Sequence, residues 1–194
     1  MALRTITIDG DEILRKKAKD VKSFGERTHV LLDDMWETMR DSDGVGLAAP
    51  QVGILRRAII VDVSARDGGG DSGQQAGTAG EPRGAETSPI PDPSAVNVKG
   101  GALFELLNPE LVSSDGEERD KEGCLSVPGI FGFVTRPSHV VVRGLDRNGN
   151  ELTVEGDGLL ARALCHELDH LEGVLFTDIA DEIDDGSDGG DGEE

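Results

Sequence analysis

Apolar residues recur along this chain in two rhythms. Across residues 25–41 the spacing is helical. Leu31, Met35 and Met39 fall every four residues, and Leu32 and Trp36 widen the stripe, which predicts an amphipathic helix. Arg57-Ala-Ile-Ile-Val-Asp-Val is a short continuous apolar run and predicts a buried strand. Residues 102–107 and 110–113 are shorter strand candidates on either side of Asn108-Pro109. His139-Val-Val-Val-Arg-Gly-Leu and Glu151-Leu-Thr-Val flank Asn148-Gly149, a hairpin signal because a type I′ turn needs positive φ at both central residues. Asp157 stands where it can cap a helix running to about residue 172, with Gly173 just past its end. A helix, several antiparallel strands and a second helix predict an α+β fold with no internal repeat.

Two stretches follow neither rhythm. The first, about 65–101, holds Gly-Gly-Gly, Gln-Gln and then Pro82, Pro89, Pro91 and Pro93, and is expected to be a surface insertion without fixed structure. The second, 181–194, is expected to be a disordered acidic tail, leaving a single domain over 1–180. Of the 194 residues, 39 are Asp or Glu and 19 are Lys or Arg, for a net charge of −20. Residues 178–194 contain nine acidic residues and no basic one, so nearly half of that charge sits at the end.

The sign of the charge changes what the chain is expected to bind. Phosphate binding needs a basic face, so direct nucleic-acid binding is not expected. No apolar run approaches the roughly 20 residues of a membrane span. The first residues turn acidic too soon for a secretory signal, and two cysteines make no disulfide framework. A cytoplasmic location is therefore expected. With 13 Arg, 6 Lys and surplus carboxylates, the composition also fits adaptation to high salt, where repulsion is screened within about 3 Å at 1 M.

Chemistry enters with His166-Glu167-Leu168-Asp169-His170 on the second predicted helix. Residues four apart share a face one turn apart, so both imidazoles can grip one metal ion. Glu167 can then reach a metal-bound water without being a ligand, the HExxH arrangement of metal-assisted hydrolysis. Such a site needs a third ligand. The metzincin pattern HExxHxxGxxH is followed as far as Gly173, but its last position is Phe176, which cannot bind a metal, and that argues against a zinc endopeptidase. His29, His139, Cys124, Cys165 and distant carboxylates remain open as the third ligand. Cys165 is turned about 100° from His166 on the helix and is expected to pack. Cys124 stands out within Glu122-Gly-Cys-Leu-Ser-Val-Pro-Gly, where glycines permit unusual backbone approach. Gly44-Val-Gly-Leu-Ala-Ala fits the dinucleotide pattern on paper. It lacks the preceding strand and following helix that the pattern requires, because a helix precedes it and Pro50 follows.

Gly-Val-Gly-Leu-Ala-Ala-Pro-Gln at 44–51, Glu-Gly-Cys-Leu-Ser at 122–126 and His-Glu-Leu-Asp-His at 166–170 together resemble, in order, the three motifs of the peptide deformylase family. The resemblance extends from Ile13-Leu-Arg through Asp34-Met-Trp-Glu-Thr-Met to Ala180, omitting only the insertion and the tail. It implies antiparallel sheets packed around a central HExxH helix, and one divalent metal held by Cys124, His166 and His170. That metal would natively be Fe²⁺, with Zn²⁺, Ni²⁺ or Co²⁺ able to replace it.

The implied reaction is hydrolysis of the N-formyl group from the initiator methionine of nascent polypeptides, releasing formate. Glu167 would be the base, with Gln51 and the backbone N–H of Leu125 on the oxyanion. By the same resemblance Gly46 pairs with peptide main chain, Gly123 also contacts substrate, and Val45, Leu47 and Ala163 line the methionine pocket. Phe131 and Phe133 are candidates for its rim, and Glu122 and Arg136 for a structural ion pair. Arg162 is a charged residue where apolar ones are expected, which leaves the wall there unassigned. Transient ribosome contact is a further implied partner, although the chain ends 24 residues after His170, too soon for a long C-terminal helix.

Overall fold

The computed structural model describes residues 2–64 and 103–185. The insertion expected at 65–101 and the tail beyond residue 185 lie outside the described residues. The α+β expectation is met: the described residues form two antiparallel sheets and two α-helices. Helix α1, Glu26–Asp41, buries Leu31, Leu32, Met35, Trp36 and Met39, the stripe read from the sequence. The larger sheet has the order β1 (Gly46–Ala48), β2 (Ala58–Asp62), β3 (Leu103–Asp115), β6 (His139–Leu145) and β7 (Glu151–Asp157).

Strand β2 is apolar from Ala58 to Val61, where both its faces are covered. Ala58 and Ile60 join the cluster around α1, whereas Ile59 and Val61 join the cluster around helix α2, Gly158–Glu172. The sheet thus lies between the two helices. Helix α2 also touches β5 of the smaller sheet, whose order is β4 (Glu118–Cys124), β5 (Val127–Arg136) and β8 (Glu182–Asp184). A third apolar cluster, with Leu14, Val127, Val134, Leu175 and Phe176, closes the space beneath that sheet. Each such buried side chain contributes about 1.5–3 kcal/mol.

Three local expectations are corrected, and one hairpin has no counterpart among them. The two short strands around Asn108-Pro109 are one strand, β3, with a register shift between Leu107 and Glu110. Pro109 has no N–H for the ladder, and the shift accommodates it. Asn108 adopts φ 51° while its side-chain amide accepts from Val21 N–H at 2.7 Å and donates to Val21 C=O at 2.9 Å. Asp157 does precede α2, but its carboxylate caps nothing and instead meets His139 Nδ1 at 2.8 Å. The β4–β5 hairpin was not predicted, because five of the seven residues in β4 are charged and show no alternation; pairing with β5 makes them a strand. Finally, the tail does not become irregular at residue 181: Glu182–Asp184 pairs with Phe131, Gly132 and Phe133 as β8.

Candidate metal centre

Helix α2 presents His166 and His170 one turn apart, with ring centroids 4.9 Å apart and nearly perpendicular. Cys124 arrives from the end of β4, where the register shifts between Gly123 and Cys124 and turns the chain toward the helix. Its Sγ lies 3.2 Å from His170 Nε2, and the ligand atoms of Cys124, His166 and His170 all lie within 4.8 Å of one another. Among the described residues this is the one such trio of His, Cys, Asp or Glu. The other candidates are elsewhere: Cys165 is buried in the α2 core, His29 Nε2 meets Arg147 C=O at 2.9 Å, and His139 holds Asp157. Phe176 is buried and stacks on the His166 ring at 6.2 Å.

The donors suit a cation. Burial disfavours a proton on His166, but hydrogen bonds with Cys124 and Glu122 and the charge of Glu167 outweigh it and raise the ring to about 10. The surroundings therefore stabilise positive charge between a sulfur and a carboxylate. Burial, and then the neighbouring His166, push His170 well below its ordinary value, which leaves the neutral imidazole that ligates metals. His170 Nδ1 is buried without a hydrogen-bond partner.

Behind the trio stands a buried ionic cluster. His166 Nδ1 lies 3.0 Å from Glu122 Oε2, so its other nitrogen is the one available on the Cys124 side. Arg136 grips Glu122 with two hydrogen bonds of 2.9 and 3.0 Å and reaches Asp169 at 2.5 Å. The pair expected between Glu122 and Arg136 is thus present. Arg162, unassigned from sequence, donates to Glu122 at 2.7 Å and to the carbonyls of Val134 and Glu118 at 2.9 and 2.8 Å, bracing the hairpin that carries Cys124. Burial alone would raise Glu122; the hydrogen bonds from His166 and Arg136 bring it down to about 2.

Glu167 is buried beside the trio, and burial raises its carboxyl to about 7. Its Oε2 has no hydrogen-bond partner. Gln51 is 1% exposed. Its Oε1 accepts from Ala48 N–H at 2.8 Å, which directs the NH₂ toward Ser126 Oγ at 3.2 Å and Cys124 Sγ at 3.5 Å. Ser126 and Asp169 were not singled out from sequence, because a serine and an aspartate carry no signal until their partners are known.

A cleft of about 350 Å³ opens onto these groups. Val45, Gly46, Gly123, Leu125, Ala163 and Phe131 line it, together with Gln51, Cys124, His166 and Glu167. Leu47 does not: along β1 Gly46 faces Glu167, so the alternation of a strand turns Leu47 to the other side, where it is fully buried against the α1 cluster. Nor does Phe133 line it; its ring instead lies 4.4 Å beneath the Arg119 guanidinium.

Residues 3–185 match the model of the polypeptide deformylase family. The chain is 48% identical over 178 residues to a peptide deformylase of Acetivibrio thermocellus, covering 92% of this chain and 84% of that one. It is 46% identical to one of Alkaliphilus metalliredigens, covering 92% and 97%. Among solved structures, a peptide deformylase from Legionella pneumophila superposes with a TM-score of 0.72 at 38% identity over 92% of this chain and 86% of the other. One from Ehrlichia chaffeensis in complex with actinonin superposes with a TM-score of 0.73 at 32% identity over 92% and 89%. With matches of this extent in both sequence and fold, the chain belongs to the peptide deformylase family, hydrolases that act on formyl-methionine peptides.

Proposed function

We propose that this chain removes the N-formyl group from the initiator methionine of nascent polypeptides by metal-dependent hydrolysis and releases formate. The observation that carries this reading is the convergence of Cys124, His166 and His170 within 4.8 Å, next to the buried carboxyl of Glu167. These three residues would hold one divalent ion. A thiolate and two imidazoles suit Fe²⁺, our choice for the native ion, as well as Zn²⁺, Ni²⁺ or Co²⁺. When bound, such an ion lowers the pKa of a water and polarises the formyl carbonyl.

The side chains do the rest. Glu167 accepts the proton of the attacking water and returns it to the departing amine, a role suited to a carboxyl raised to about 7. The Gln51 amide NH₂, aimed by the Ala48 N–H on its other end, and the backbone N–H of Leu125 stabilise the oxyanion without adding negative charge. Strand β1 lies at the edge of its sheet, so the backbone of Gly46 can pair with an extended peptide, with Gly123 across the cleft. Val45 and Ala163 line the methionine pocket, joined by Leu125 and Phe131. The proposed setting is the cytoplasm, with transient contact at the ribosome where formylated chains emerge.

The test is formate release from a formyl-methionyl peptide under anaerobic conditions, with metal content measured in parallel. The wild type is expected to release formate, to lose activity to a chelator and to regain it with Fe²⁺. Glu167→Gln should keep its metal and lose at least about 100-fold in rate. Full activity in that variant would overturn the assigned base, and cleavage of internal peptide bonds without formate would favour an endopeptidase.

A further inference from the structure

Positive charge is scarce in this chain, yet it is gathered in one place. Residues 15–27 hold Arg15, Lys16, Lys17, Lys19, Lys22 and Arg27 against Asp20 and Glu26, so four of the six lysines fall within seven positions. After the 3-10 turn at Glu12–Arg15 this segment has little regular structure, but its backbone is fastened along its length. Ala18 N–H donates to Leu171 C=O at 2.8 Å, Arg57 N–H to Lys19 C=O at 2.8 Å, and Asn108 holds both backbone groups of Val21. Lys19 and Arg56 are neighbours in a parallel backbone bridge.

The result is an open concavity of about 1280 Å³ that shares no lining residue with the cleft at Cys124. Lys17, Lys19, Lys22, Arg27, Arg56 and Arg57 line it, with Asp20, Glu110 and Glu172 as its acidic residues. Glu172 is engaged by Lys17 at 2.6 Å and Arg57 at 2.5 Å. Among the described residues no carboxylate pairs with Lys19, Lys22, Arg27 or Arg56. In a chain with about twice as many acidic as basic residues, this concavity is thus lined by four exposed cations that no described carboxylate pairs with, two of them joined by a backbone bridge. Such like charges repel unless an external anion lies between them.

We propose that this concave face binds the phosphodiester backbone of folded RNA without reading its bases. Lys19, Lys22, Arg27 and Arg56 are all exposed rather than gathered at a buried point, which suits a row of phosphates better than one small anion. No aromatic ring lines the concavity, so base stacking is not on offer and contacts are to the backbone. A concave face fits a convex duplex rather than a flat anionic bilayer, and a duplex, with its two phosphate strands, carries about one charge per 1.7 Å of axis against about one per 3.4 Å along an extended acidic peptide. The net charge of −20 speaks against nucleic acid only as an average. With a Debye length of about 8 Å at physiological salt, a phosphate in the concavity senses the local cations while distant carboxylates are screened.

The test is fluorescence anisotropy of the full chain with a labelled RNA hairpin across a KCl series, with polyglutamate and anionic phosphatidylserine vesicles as competitors. Binding is expected to weaken with salt at a slope of about −3 to −4 in log K against log [KCl], matching four phosphate contacts. Reversing three cations (Lys19→Glu, Lys22→Glu, Arg56→Glu) should weaken it by at least about tenfold, while deformylation of a formyl-methionyl peptide is unchanged. A neutral set (Lys19→Gln, Lys22→Gln, Arg56→Gln) decides the matter if the reversed protein does not fold. Equal RNA affinity in wild type and variants, no binding at low salt, or stronger displacement by polyglutamate or vesicles than by unlabelled RNA would overturn the proposal. Because binding is read without turnover, the result is independent of the proposed catalysis.

Discussion

A Cβ placed on Gly46 would lie 2.4 Å from the Glu167 carboxylate oxygen, far inside van der Waals contact. The first motif and the HExxH helix are therefore fitted to each other at this point: β1 can run past the buried carboxyl because residue 46 has no side chain. Gly46→Ala is expected to displace Glu167 and reduce kcat/KM by about 100-fold, since about 1 Å of misplacement at a reacting group has that effect. Metal content should stay at the wild-type level. Unchanged kinetics in Gly46→Ala would show that the carboxyl does not need this space.

As the proposed base, Glu167 must be ionised to accept a proton, so activity should fall as pH drops through its pKa. Burial holds that carboxyl up to about 7, and a cation at the neighbouring ligands would draw it lower. The acid limb of a kcat/KM profile is thus expected at or below about pH 7. A limb above pH 8 would assign the base to another group.

The buried Glu122 cluster makes a prediction about stability and metal together. Glu122→Gln leaves Arg136 and Arg162 without their shared counter-charge, and should cost about 3–5 kcal/mol in denaturant unfolding. It also weakens the anchor of His166, so metal affinity should drop about 10- to 100-fold. Because the folded-state pKa of Glu122 is lowered to about 2 from 4.5, its contribution is fully present above about pH 4.5 and is lost as pH falls toward 2. An acid-unfolding curve that is the same in wild type and Glu122→Gln would remove this role.

The surplus of carboxylates should make both activity and thermal stability rise between low salt and molar KCl, as like-charge repulsion is screened. Thermal melts and formate release across a KCl series measure this directly. An optimum below physiological salt would rule out salt adaptation.

Much of the site is local in sequence and was readable there. His166, Glu167 and His170 need only a helix to share a face, Gly173 ends that helix at φ 80°, and the apolar stripe of α1 is a matter of period. The apolar run of β2 likewise announced a strand covered on both faces. Cys124 lies 42 residues from His166, and only the pairing of the charged strand β4 with β5 brings its sulfur to the helix. The same assembly turned Leu47 away from the cleft, made Arg162 a brace of the β4–β5 hairpin as well as part of the cleft wall, and recruited Glu182–Asp184 into a strand. It also brought Arg56 and Arg57 beside the basic stretch 15–27 around one concavity. The sequence by itself determined the candidate residues His166, Glu167 and His170 and the periodic elements that bear them, because periodicity and ligand spacing act within a few turns of chain. Only the tertiary structure decided which side chains meet and which face solvent, because strand pairing and charge pairing join residues that no local pattern relates.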